Sequence, residues 1–163
     1  SIIINLNIGQ RSVIPLFQEQ IRSGGPVTIT SNEMTRFILT LETANEVIFE
    51  TIRSADAGDI YVPDLTSVNI LDLAEVMIGN RKIDIKSIGI RPGEKIHEIL
   101  ISEEELPRTI KRGGYYVICP VLPKMRRAQI EKPVLTQELS SADFCMPKSQ
   151  IAELLQVGGY LNF

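Results

Sequence analysis

Residues 91–94 read Arg-Pro-Gly-Glu and follow a run rich in isoleucine (Ile83, Ile85, Ile88, Ile90). A Pro-Gly pair marks a turn. This turn carries a guanidinium that is always charged and whose fork fits two phosphate oxygens. Three residues later it carries a carboxylate, which accepts hydrogen bonds from hydroxyls. One cation and one acceptor this close suit a ligand with both an anionic part and hydroxyl groups. The competing expectation is a surface pair between Arg91 and Glu94 themselves, worth ~1 kcal/mol or less. Arg36, in "MTRF", is the second candidate. Apolar spacing predicts a helix over residues 34–53, with Arg36 in its first turn. A cation there opposes the helix macrodipole. An anion bound at that end would meet both Arg36 and free backbone N–H groups. The alternative is an arginine that snorkels beside Glu33.

The remaining reactive residues carry less. His97 is the one histidine of the chain, and it has no nucleophile or metal partner in sequence. It reads as a solvated or structural residue on a helix. The acidic run 103–105 reads as a solvated helix start. Cys119 and Cys145 form no zinc or disulfide framework and fit a reducing, cytoplasmic setting as small buried side chains. No G-x-G-x-x-G, no P-loop and no Tyr-x-x-x-Lys pair occurs. No catalytic, cofactor-binding or metal-ligating residue is therefore assigned. The net charge of −3 gives no bulk attraction to nucleic acid or to an anionic membrane. Apolar runs fall short of the ~20 residues of a span, and the first residues lack a signal-peptide pattern.

Strands and helices alternate along the chain, which predicts an α/β class. Strands are expected at 1–8, at "PVTIT", at "GDIYVP", over the isoleucine run and at "GYYVICP". Helices are expected from Ser12 to Gly24, over 34–53, at "SVNILDLAEVMIG", at "EKIHEILIS" and at "PKSQIAELLQVGGY". Ile70, Leu73, Ala74 and Met77 should face inward. Residues 120–147, with four prolines, read as an irregular arm. The expected division is a lobe over 1–119 and a C-terminal extension over 120–163.

Three segments, "RSVIPLFQEQIRSGGPVTIT", "MTRFILTLETA" and "IGIRPGEKIHEILISEEE", stand in consistent order and spacing. Together they resemble the C-terminal half of the bacterial inverting UDP-N-acetylglucosamine 4,6-dehydratases. Those enzymes belong to the extended short-chain dehydrogenases and act in capsule, O-antigen and flagellin-sugar biosynthesis. The resemblance implies a small mixed sheet with flanking helices that holds the UDP part of a UDP-sugar. It places NADP and the catalytic residues in an N-terminal Rossmann lobe outside this chain. Arg91 would bind the diphosphate and Glu94 the ribose hydroxyls, with Arg36 as a second phosphate contact. Backbone groups of Val27 and Thr28 would read the uracil edge, and Asn5 falls at a family asparagine. The opening "IIINLNIGQRS" departs from the family pattern, whose arginine and tyrosine beside Asn5 are missing.

The isolated chain is expected to be inactive and to associate, either with itself or with a separate Rossmann half. Two rivals stand beside this: a stand-alone module that binds a UDP-sugar without turnover, and a structural fragment without ligand.

Overall fold

The computed structural model describes residues 13–121 and 132–161, so the strand expected over 1–8 lies outside the described residues. In chain order the elements are α1 (Val13–Arg22), β1 (Val27–Ile29), β2 (Thr35–Phe37), α2 (Leu41–Ser54), β3 (Ile60–Pro63) and β4 (Ser67–Asn69). Then come α3 (Ile70–Ile78), β5 (Ile85–Ser87), β6 (Ile99–Ile101), a 3-10 helix (Glu103–Arg108), β7 (Thr109–Arg112), β8 (Tyr115–Ile118), β9 (Leu139–Ser140) and α4 (Lys148–Val157). The class is α/β, as expected, with small sheets and flanking helices.

These elements form two compact units. One comprises the described parts of Asn5–Ile38, Thr66–Glu98 and Ser141–Phe163. Its core contains Phe17, Val27, Leu73, Met77, Ile151 and Leu155, so α1, β1, α3 and α4 share one apolar centre. Each such side chain contributes about 1.5–3 kcal/mol by leaving water. The predicted inward face of α3 is buried as read, and Asn69 caps it by accepting from the N–H groups of Leu71 and Asp72. Helix α1 ends in two hydrogen bonds, Gly25 N–H to the Gln20 carbonyl (2.8 Å) and Gly24 N–H to the Ile21 carbonyl (3.0 Å). That pairing, with Gly24 at φ 86°, is a Schellman cap. Strand β1 then pairs in parallel with β5, Val27 opposite Ile85.

The other unit comprises the described parts of Leu39–Leu65 and Ile99–Ser140. Its three-stranded antiparallel sheet runs β3-β8-β7 and packs Tyr61, Ile110 and Val117 against Val47 of α2. The hairpin β7–β8 turns at Gly113, whose φ is 57°. Strand β6 pairs with β9.

Three expectations change. The helix predicted from residue 34 begins at Leu41, because Thr40 caps it by accepting from the Thr43 N–H at 3.1 Å. Residues 35–37 instead form β2, antiparallel to β4, with Thr35 and Phe37 buried and Arg36 between them. The third helix starts at Ile70 rather than Ser67, since Ser67–Asn69 completes that pairing. The segment 94–102 is not helical. The carbonyls of Lys95 and Ile96, which a helix would need, accept instead from the Arg36 side chain and, at Ile96, from the Thr35 N–H.

Candidate functional site

Strands β1 and β5 run in the same direction and therefore end on the same side. In parallel α/β sheets, that carboxyl end is where ligands gather. The loops beyond it are tied to each other. The Ile88 N–H donates to the Ile29 carbonyl (2.9 Å), and the Ser87 hydroxyl donates to the Thr30 carbonyl (3.2 Å). Three residues past Ile88, the chain makes the Arg91–Glu94 turn. The Glu94 N–H donates to the Arg91 carbonyl at 3.0 Å. With Pro92 second and Gly93 third at φ 83°, the turn follows the type II pattern, which requires a positive φ at its third residue.

The two charged groups of the turn are held differently. One Glu94 oxygen accepts from the Arg91 backbone N–H at 3.2 Å and the other from the Thr30 hydroxyl at 3.3 Å. The Arg91 side chain is exposed, and its guanidinium makes no ion pair or hydrogen bond among the described residues. The surface pair between the Arg91 and Glu94 side chains is thus not formed. Glu94 bonds the main chain of Arg91, and the Arg91 side chain is exposed.

Arg36 sits in strand β2, not at a helix start, so the argument from an opposed macrodipole does not hold. Its guanidinium donates to the carbonyls of Thr35 (2.7 Å), Ile96 (3.0 Å) and Lys95 (2.9 Å). Its Nε lies 3.4 Å from Glu98 Oε1, with both side chains about 15% exposed. The partner is Glu98, not Glu33. Arg36 therefore anchors the segment that follows the Arg91–Glu94 turn.

A chain of hydroxyls supports the same segment. His97 is exposed and not on a helix, and its Nδ1 lies 2.8 Å from the Thr35 hydroxyl. That hydroxyl is 2.6 Å from the Ser141 hydroxyl, which accepts from the Glu98 N–H at 2.9 Å. The Ser67 hydroxyl donates to the Ser141 carbonyl at 2.5 Å. Thr35, Ser67 and Ser141 are all buried. Buried polar groups need such partners, and the structural role expected for His97 is visible here as a bond to Thr35.

The N–H groups of Val27 and Thr28 are both engaged. Val27 donates to the Asp84 carbonyl (2.9 Å) and Thr28 to Gln20 Oε1 (3.0 Å). The Gln20 amide also donates to the Thr28 hydroxyl at 2.7 Å. Asn5 lies outside the described residues. Thr30, Gln20, Glu98 and Ser141 carried no signal of their own in sequence.

No group of three or more potential metal ligands occurs among the described residues. Among them, too, β1 and β5 are each followed by a loop and then a strand rather than by a helix. No described helix is long and apolar enough to cross a membrane. In the other unit, a shallow depression is lined by Glu46, Phe49, Glu50, Arg53 and Tyr115. The Ser54 hydroxyl, and then Arg53, hold the Glu50 carboxyl below its ordinary range there.

The chain is 40% identical over 118 residues to an uncharacterized membrane protein, MJ1061, of Methanocaldococcus jannaschii, covering 67% of this chain and 35% of that protein. It is 37% identical over 115 residues to a UDP-N-acetylglucosamine 4,6-dehydratase (inverting) of Campylobacter jejuni, covering 69% and 34%. It spans about a third of the length of these curated relatives. The X-ray structure of Pen from Bacillus thuringiensis superposes with a TM-score of 0.82 at 27% identity, over 94% of this chain and 47% of Pen. Residues 5–120 match the polysaccharide biosynthesis protein family, and the chain belongs to that family.

Proposed function

We propose that this chain is the UDP-N-acetylhexosamine-binding portion of a nucleotide-sugar 4,6-dehydratase or 5-epimerase of surface polysaccharide biosynthesis. One observation carries the reading. At the carboxyl end of two parallel strands, a hydrogen-bonded turn presents an exposed arginine and a carboxylate already held by two donors. Arg91 would take the diphosphate and Glu94 the ribose hydroxyls. The name of the Campylobacter relative supports the choice of a UDP-sugar. Arg36 and the strand Val27–Thr28 enter as supports of the turn and of β1. Any contact of theirs with ligand requires exchange of bonds they already make. On this reading NADP and the catalytic groups belong to a Rossmann portion outside this chain, which by itself is inactive. A separate Rossmann half or a second copy of the chain is its natural partner.

The test is an NMR titration of the chain with UDP. Without contacts from a Rossmann portion, affinity should be weak, in the high micromolar to millimolar range, or roughly −4 to −6 kcal/mol. Amide shifts should concentrate at residues 27–37 and 91–94. Their absence at several millimolar UDP would favour a structural fragment instead.

A further inference from the structure

We infer that Thr30 is the positioning residue that aims the Glu94 carboxylate at two adjacent hydroxyls of a bound nucleotide. The inference rests on the uridine-diphosphate reading above and adds a residue to it. An ionised carboxylate has about four lone-pair sites. Glu94 Oε2 gives one to the Arg91 N–H at 3.2 Å, and Oε1 gives one to the Thr30 hydroxyl at 3.3 Å. Each oxygen thus keeps capacity for one more donor, and the two oxygens lie side by side. A vicinal diol supplies two donors in that same arrangement.

The two protein donors differ in what they fix. The Arg91 N–H belongs to the turn that carries Glu94, so it moves with that turn. Thr30 belongs to the other strand's loop, one residue past β1. Its carbonyl accepts from Ser87, the last residue of β5, at 3.2 Å. Its hydroxyl therefore fixes the carboxylate relative to both strand ends. Without that bond, Glu94 is tied only to its own turn and its long side chain regains rotamer freedom. At 3.3 Å the contact is long for a hydroxyl–carboxylate bond, so its effect belongs at the lower end for a charged hydrogen bond.

The test compares UDP with 2′-deoxy-UDP by calorimetry or NMR titration on the whole chain. The wild-type chain should prefer UDP, because only UDP offers both hydroxyls. Thr30→Val keeps the shape and removes the donor. It should lower UDP affinity about three- to tenfold, leave 2′-deoxy-UDP affinity close to wild type, and so collapse the preference. Thr30→Ser, which restores a hydroxyl, should restore the preference. If Thr30→Val does not fold, Thr30→Ala carries the same comparison. A hydroxyl-free variant that keeps the wild-type preference overturns the inference. So does one that loses both nucleotides equally, which marks a purely structural role. A wild-type chain that binds neither nucleotide overturns the nucleotide reading and this inference with it, and one that binds both equally overturns this inference alone.

Discussion

Strand β2 and the turn at residues 91–94 each carry one arginine, and the two are held in opposite ways. Around Arg36 the protein supplies three carbonyls and a carboxylate, and the guanidinium donors are engaged. Around Arg91 the protein grips the backbone, through Glu94 and the turn hydrogen bond, and leaves the side chain exposed. The first arrangement uses a cation to close gaps in the chain's own hydrogen bonding. The second uses the chain's hydrogen bonding to present a cation. In sequence both are an arginine beside a threonine, proline or acid, and nothing in residue type separates them.

The contrast can be broken most directly at Arg36. Arg36→Met should destabilise the chain by about 2–3 kcal/mol, since it removes the ion pair with Glu98 and the guanidinium donors to three carbonyls in a partly buried site. Denaturant unfolding would measure this. If stability is unchanged while UDP binding disappears, Arg36 faces the ligand and the contrast is inverted. Ser141→Ala comes next, at about 1–2 kcal/mol, because it removes the acceptor of the Glu98 N–H and the neighbour of Thr35.

Arg91→Ala should change stability by no more than about 0.5 kcal/mol. It should weaken UDP roughly tenfold while barely affecting uridine. Equal loss of both ligands would remove Arg91 from the diphosphate. The smallest effect belongs to Lys148, exposed between Asp72 and Glu75 of α3. Its pKa is raised by the hydrogen bond to Glu75 first and by Asp72 second. A raised lysine stabilises the fold at pH below its unfolded pKa. That contribution fades as pH rises through the folded pKa, above the ordinary lysine range. Thermal melts of wild type and Lys148→Met should therefore differ slightly at neutral pH and converge at strongly alkaline pH. A gap that persists there would assign the effect to packing.

Legibility followed range. Helices α1, α3 and α4 were readable because their apolar spacing and their caps, such as Gly24–Gly25, are local. The same holds for the turn 91–94, whose Pro and Gly dictate its geometry. What was misread depended on distant partners. Phe37 and Ile38 fit a helical stripe, yet pairing with Ser67–Asn69 makes residues 35–37 a strand. Lys95 and Ile96 fit a helix until Arg36, some sixty residues away, takes their carbonyls. Strand β7, "TIKR", was missed because its short alternation gains meaning only beside Tyr115–Ile118. In the candidate site, Arg91 and Glu94 could be found by type, whereas Thr30 could not. A threonine in a strand is unremarkable until the carboxylate 64 positions on is seen against it.

Gln20 fastens the chain at two places. Its carbonyl receives Gly25 at the end of α1, and its side-chain amide grips Thr28 inside β1. The segment between is therefore a spacer of set length, and Gly25 has Ile83 against it, 2.6 Å from where a Cβ would stand. One inserted residue would force the loop to bulge or the strand to slip by one position. A slip would rotate Val27 and Ile29 out of the core and Thr28 into it. Loop 23–26 should thus accept many replacements at exposed Ser23 and reject almost any change in residue count. A library sorted for folding should recover surface substitutions there and no insertions.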